Sequence, residues 1–185
     1  MNRSSQEIYD ELLVVRCRRG DLAAWDELVR RWSDRLHYYL RRLIDHEQDA
    51  TNALQELWVR AFRGMRTLRD DARLAPWLYT IARRTATDHY RIEYGHDAET
   101  AGDIVADLPD DADPEQIQFE NAELVHHGLK QLGPAEREVL TLFFLEDLTV
   151  GEIGELLEIP PGTVKSRMFK ARSDLRRILE RECGV

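Results

Sequence analysis

The sequence predicts an all-α protein made of two small helical domains joined by an acidic linker. Two observations carry this prediction. Apolar residues recur in steps of three and four on both sides of residues 96–116, the period of a helix packed on one face. The segment between, HDAETAGDIVADLPDDADPEQ, is acidic, holds two prolines and lacks a strong apolar period, which is linker composition. There is no internal repeat and no strand-like alternation. The expected domains are 1–95 and 117–185, with the linker at 96–116.

The elements follow in chain order. Residues 5–19 form a first helix. Asp21 caps a second, whose apolar face runs Trp25, Leu28, Val29, Trp32, Leu36, Tyr39, Leu40 and Leu43. A third covers about 46–64, with Ala50, Ala53, Leu54, Leu57, Trp58, Ala61 and Phe62 on its apolar positions and Gly64 placed to end it. RTLRDDARLA (66–75) is polar and charged and reads as a loop. Pro76 suits the first turn of the next helix, which turns Trp77, Leu78, Ile81, Ala82, Thr85 and Ala86 inward. Beyond the linker, 122–131 is one short helix. Gly133 and Pro134 start another, with Val139, Leu140, Phe143 and Phe144 apolar. Thr149 and Glu152 match a capping box, and Ile153, Leu156 and Leu157 form the inner face that follows. Glu158 to Gly162 make a turn holding Pro160 and Pro161, and a last helix runs over about 162–181.

Composition narrows the function. The chain of 185 residues is 43% hydrophobic and 33% charged, enough apolar content for a core in a soluble protein. No apolar run approaches the roughly 20 residues that span a bilayer. The start, MNRSSQEIYDELL, has no signal-peptide core, so cytoplasmic residence is expected. Cys17 and Cys183 supply neither a disulfide framework nor a four-ligand zinc site; one reads as a helix residue, the other as tail. The six histidines, at 37, 46, 89, 96, 126 and 127, have no metal spacing with carboxylates, and His126-His127 reads as a surface pair. P-loop, dinucleotide turn and nucleophile elbow are missing. No enzyme, catalytic residue, metal or cofactor is expected.

The formal net charge of −9 hides a strong local pattern. Residues 1–95 hold 17 basic and 15 acidic side chains, net +2. Residues 96–123 hold 10 acidic and no basic ones, net −10. Residues 162–181 hold 7 basic and 2 acidic, net +5. A local basic stripe governs phosphate binding more than the total does. The acidic segment reads first as a solvated tether; a sharper reading has its carboxylates mimic phosphates and compete for the basic helix.

The sharpest local signal is TVGEIGELLEIPPGTVKSRMFKAR (149–172): a capped short helix, a tight turn and a basic helix, the helix-turn-helix pattern. Gly154 allows close approach within the pair. Val164 and Met168 point inward. Lys165, Ser166, Phe169 and Lys170 share the outward face, where cations meet phosphates or guanine, Ser meets either partner type and Phe touches a thymine methyl. The plain alternative is an amphipathic helix with a solvated basic face.

These residues carry a family resemblance. LKQLGPAEREVLTLFFLEDLTVGEIGELLEIPPGTVKSRMFKARSDLRRIL (129–179) resembles region four of the extracytoplasmic-function class of bacterial sigma-70 factors, with GTVKSR and the following KAR its most recognisable part. GDLAAWDELVRRWSDRLHYYLRRLI (20–44), DATNALQELWVRAFRGM (49–65) and PWLYTIARRTATDHYR (76–91) resemble region two. The resemblance implies a factor that carries RNA polymerase to specific promoters in response to stress or another signal and helps open them. It implies docking of Asp49, Asn52, Gln55, Glu56 and Trp58 on the clamp helices of the largest polymerase subunit, and contact with the flap of the second-largest. It implies that Lys165, Ser166, Arg167, Phe169 and Lys170 read the minus-thirty-five duplex. For capture of the minus-ten strand it implies Arg66, Arg69, Arg73, Trp77, Arg83, Arg84, Thr87 and Asp88, with Tyr79 as a second stacking surface and Arg91 as a further cation. Trp58 and Trp77 read first as core residues. An anti-sigma factor is the implied further partner.

The chain departs from the family pattern in three places. Asp49-Ala50-Thr51-Asn52 stands where members often carry a DAED-like run. Arg84 stands where Asn is common, and Glu158 where Gly is common. A left-handed backbone at Glu158 costs about 1 kcal/mol. The alternative function is a stand-alone helix-turn-helix transcription regulator, which binds duplex DNA alone as a dimer. A third is an interaction protein with no DNA role.

Overall fold

The computed structural model describes residues 5–44, 46–94, 128–129 and 131–183. The expected linker, His96, the His126-His127 pair and most of the 122–131 helix lie outside the described residues, as do the side chains of Arg91 and Cys183. The chain divides into two compact units, Met1–Glu99 and Thr100–Val185. Among the described residues there is no strand.

The first unit holds α1 (Ser5–Arg18), α2 (Leu22–Leu43), α3 (Glu47–Gly64) and α4 (Leu74–Tyr94). The corner between α1 and α2 is fixed by local chemistry. Gly20, at φ +82, takes the left-handed position that ends α1. Its N–H donates to the Cys17 carbonyl at 3.0 Å, and the Asp21 N–H donates to the Arg16 carbonyl at 3.2 Å. Asp21 then caps α2, accepting from the Ala24 N–H at 3.1 Å and from Arg16 Nε at 2.9 Å. The Arg16 bond, then the helix N–H groups, hold its carboxyl below the ordinary 3.8. One residue thus closes one helix and opens the next.

Burial follows the apolar period on α2, where Trp25, Leu28, Trp32, Leu36, Tyr39 and Leu40 are all interior. On α3, Ala50, Ala53, Leu57 and Ala61 are buried, and the small size of the three alanines leaves room for neighbouring helices to come close. Phe62 is a correction: it is 58% exposed, with its ring 5.0 Å from Trp25, on the flank of the unit rather than in its core.

The expected loop at 66–75 is also corrected. It holds two 3-10 turns, Met65–Thr67 and Asp71–Arg73, and α4 begins at Leu74. Met65 and Leu68 are buried anchors. Arg18 of α1 donates to the carbonyl oxygens of both and pairs with Asp71 at 2.6 Å. Pro76 is therefore the third residue of α4, still within the first turn, where its missing N–H has no helical partner to lose.

The second unit holds α5 (Pro134–Leu140), a π-helical turn (Thr141–Leu145), α6 (Val150–Leu157) and α7 (Pro161–Cys183). Leu129, Leu132, Leu140, Ala171, Leu175 and Ile178 form its main core, with Phe144 and Leu179 packed on the outside. The π turn carries Thr141 and Leu142 inward and leaves Phe143 and Phe144 half-buried, edge to face at 4.9 Å. The capping box of α6 is complete: Glu152 N–H donates to Thr149 Oγ1 at 3.3 Å, and Thr149 N–H donates to Glu152 Oε2 at 2.9 Å. Glu158 is left-handed at φ 58, as is Asp147 at φ 55. Gly154 makes room for the turn itself, because a Cβ there would sit 3.0 Å from the Ile159 carbonyl oxygen.

Candidate nucleic-acid interface

The second unit presents its basic face on α7. Val164, Met168, Ala171, Leu175 and Ile178, spaced by four and three, bury one side of this helix. That leaves Lys165, Phe169 and Lys170 exposed on the other, with Ser166 and Arg167 half-buried at its edges. Phe169 is 54% exposed, an apolar ring kept in water by the geometry of the helix pair. Ser166 Oγ donates to the Thr163 carbonyl at 3.0 Å, so its hydroxyl offers only acceptor capacity to a partner. Such an acceptor suits the exocyclic amine of cytosine or adenine. Lys170 Nζ lies 2.6 Å from Glu136 Oε1 of α5. The lysine holds the Glu136 carboxyl below its ordinary 4.5, and the glutamate raises the ammonium above its ordinary 10.5.

The first unit presents two surfaces. On α3, Asn52, Gln55 and Glu56 are exposed and Asp49 is half-buried. Asn52 accepts from Gln48 Nε2 at 3.3 Å. Val59 and Phe62 continue the Gln55 side in helical steps and are exposed. Trp58 is half-buried, and its Nε1 donates to Ser33 Oγ of α2 at 3.1 Å, which ties it to the body of the unit.

The turns and α4 form the other surface. Arg66, Arg69, Arg84 and Thr87 are exposed, and Arg73, Trp77, Arg83 and Asp88 are half-buried. Trp77 lies against the backbone of Gly64, where a Cβ would come within 3.5 Å of its Cζ2. Thr87 Oγ1 donates back to the Arg83 carbonyl at 2.9 Å. Tyr79 corrects the sequence expectation of a base-stacking ring. It is fully buried, edge on to Tyr39 at 5.2 Å and to Trp32 at 6.4 Å.

Arg60 joins the two surfaces and was missed in the sequence. Its Nη2 lies 2.5 Å from Glu56 Oε1 and its Nη1 2.8 Å from Asp88 Oδ2. The Glu56–Arg60 half has the i,i+4 spacing that a sequence shows; the Asp88 half needs the fold. Glu136 was missed for the same reason, since 34 residues separate it from Lys170. Among the described residues no group of His, Cys, Asp and Glu could hold a metal, and no helix is long and apolar enough to cross a membrane. Cys17 is buried, and burial pushes its thiol up to about 11.

The arrangement has relatives along nearly its whole length. The family model for sigma-70 region 2 matches residues 28–106, and that for sigma-70 region 4 matches residues 122–175. The RNA polymerase sigma-H factor of Pseudomonas aeruginosa is 32% identical over 182 residues, covering 92% of this chain and 94% of that protein. The ECF RNA polymerase sigma factor SigW of Bacillus subtilis is 30% identical, covering 90% and 94%. In fold, the chain is similar to CnrH, solved with the cytosolic domain of CnrY, at a TM-score of 0.64 and 21% identity, covering 92% and 97%. It is likewise similar to the sigma factor RpoE of Bartonella quintana, solved with the anti-sigma factor NepR, at 0.64 and 19%, covering 84% and 96%.

Proposed function

The chain belongs to the extracytoplasmic-function class of the sigma-70 family, and we propose that its three surfaces divide the work of such a factor between the two units. It is a sigma factor: it directs RNA polymerase to specific promoters and assists their opening, and the chemistry of transcription belongs to the polymerase. The observation that carries this reading is the region 2 and region 4 matches, in that order.

In the proposed division, Asp49, Asn52, Gln55 and Glu56 of α3 meet the clamp helices, with Trp58 positioning that helix against α2. Arg66, Arg69, Arg73, Arg83 and Arg84 line the path of the minus-ten strand. Thr87 completes that polar surface, Trp77 supplies an aromatic ring there, and Asp88 acts through Arg60. On α7, Lys165, Ser166, Arg167, Phe169 and Lys170 read the minus-thirty-five duplex. Domain limits of 1–95 and 117–185, a tether at 96–116, a flap contact, an anti-sigma partner and work in the cytoplasm belong to the same proposal.

Run-off transcription on a promoter library tests it. Core polymerase plus the chain should start transcripts at defined positions, while core polymerase alone should not. A chain that binds promoter duplex tightly by itself as a dimer, and adds nothing to core polymerase, would instead be a stand-alone regulator.

A further inference from the structure

Lys170, on the α7 face, pairs with a carboxylate carried by α5. Lys170 Nζ stands 2.6 Å from Glu136 Oε1, with the lysine side chain 63% exposed and the glutamate only 14%. The carboxylate is seated by its surroundings. Its other oxygen, Oε2, occupies the space left by the missing side chain of Gly133, where a Cβ would sit 2.6 Å away. Gly133 has φ −57 and ψ 152, a backbone that any residue adopts. The glycine is thus not needed for the turn; what it provides is room for the carboxylate.

We propose that Glu136 is a specificity-determining positioning residue that withholds Lys170 from the phosphates of DNA of arbitrary sequence. Carboxylate and phosphate are alternative anions for one ammonium. Binding to arbitrary sequence is built almost wholly from such cation–phosphate pairs, so occupying one cation lowers that affinity. A promoter duplex is also held by base recognition from its neighbours on α7, and this keeps a phosphate in place to displace the carboxylate. Specificity is the difference between the two affinities, and Glu136 widens it.

The inference rests on α7 facing DNA, and the test separates the two ideas. Binding of the full chain to a fluorescent duplex of random sequence is measured across a salt series, and holoenzyme binding to promoter and random duplexes is compared. Glu136→Gln removes the charge at constant size. Gly133→Ala keeps the charge and displaces the carboxylate. Both should steepen the fall of log affinity with log salt by about 0.9, the value for one further phosphate neutralised. Both should also lower the ratio of promoter to random binding. Adding Lys170→Ala should cancel the steepening. A slope unchanged in both variants, or a steepening that survives Lys170→Ala, overturns the proposal. Lys165→Ala is the control: if it lowers the slope by about one while Glu136→Gln does nothing, α7 faces DNA and the role of Glu136 is wrong. If Lys165→Ala also does nothing, the reading of α7 itself fails.

Discussion

The α3–α4 side of the first unit and the α7 face of the second bind their side chains in different ways. On α3 and α4 the site residues are cross-linked: Arg60 bridges Glu56 and Asp88, and Trp58 is hydrogen-bonded to α2. Behind them lies an aromatic core in which Tyr79 meets Tyr39 and Trp32 edge on. On α7 the candidate residues lie on the side away from a buried inner face, and the ion pair from Lys170 to Glu136 ties that outer side to α5. The backbone corners differ as well. The first unit places a glycine at its left-handed corner, position 20, whereas the second places Asp147 and Glu158 in that conformation. The surface proposed to meet both polymerase and melted DNA is thus coupled across helices through Arg60. The surface proposed to read duplex is carried on one face of a single helix whose other face is core.

The largest expected effect tests the core of the first unit. Tyr79→Ala should cost about 3–5 kcal/mol, as large-to-small changes at buried aromatics do. Hydrogen exchange should show weakened protection in α2 and α4 while α7 is unchanged. Equal weakening in both units would erase the distinction between them.

Next comes the coupling through Arg60. Glu56→Ala and Asp88→Ala should be non-additive by about 0.5 kcal/mol or more in core-polymerase affinity when Arg60 is present, and additive in an Arg60→Ala background. Additivity in both backgrounds would mean that the two surfaces of the first unit are as independent as those residues look in sequence.

Much of this is legible in the sequence, for physical reasons that differ by element. Asp21, Thr149 and Glu152 act on backbone groups three residues away, so their roles are written locally. The inner faces of α2 and α7 follow a sustained period. Phe62 was misplaced because period alone cannot tell which of two adjoining apolar positions at a helix end meets a neighbour. Tyr79 differs from its expected stacking role because an aromatic ring suits a base and a core alike, and here the core takes it. The 66–75 segment looked like loop because its two anchors, Met65 and Leu68, are too few to set a period. Arg60–Asp88 and Lys170–Glu136 join residues far apart in the chain, so only the fold brings them together.

Smaller effects sharpen the account of the second unit. Thr149→Ala should destabilise it by about 1 kcal/mol through loss of the cap. Glu158→Gly should stabilise it by about 1 kcal/mol, because glycine adopts the left-handed region without the Cβ penalty. Chemical denaturation reads both. A Glu158→Gly variant that loses stability would show that the glutamate side chain makes a compensating interaction.

The central claim is that α7 reads promoter duplex for a polymerase held by the first unit. Its most direct test is run-off transcription by core polymerase with the Lys165→Ala, Lys170→Ala double variant on promoters varied in the minus-thirty-five element. The account predicts that core polymerase is still bound. Dependence on that element should weaken by about 1–3 kcal/mol wherever a truncated side chain had read a base, and the salt slope should fall by about one for each phosphate no longer neutralised. Unchanged preference and unchanged salt dependence would contradict it.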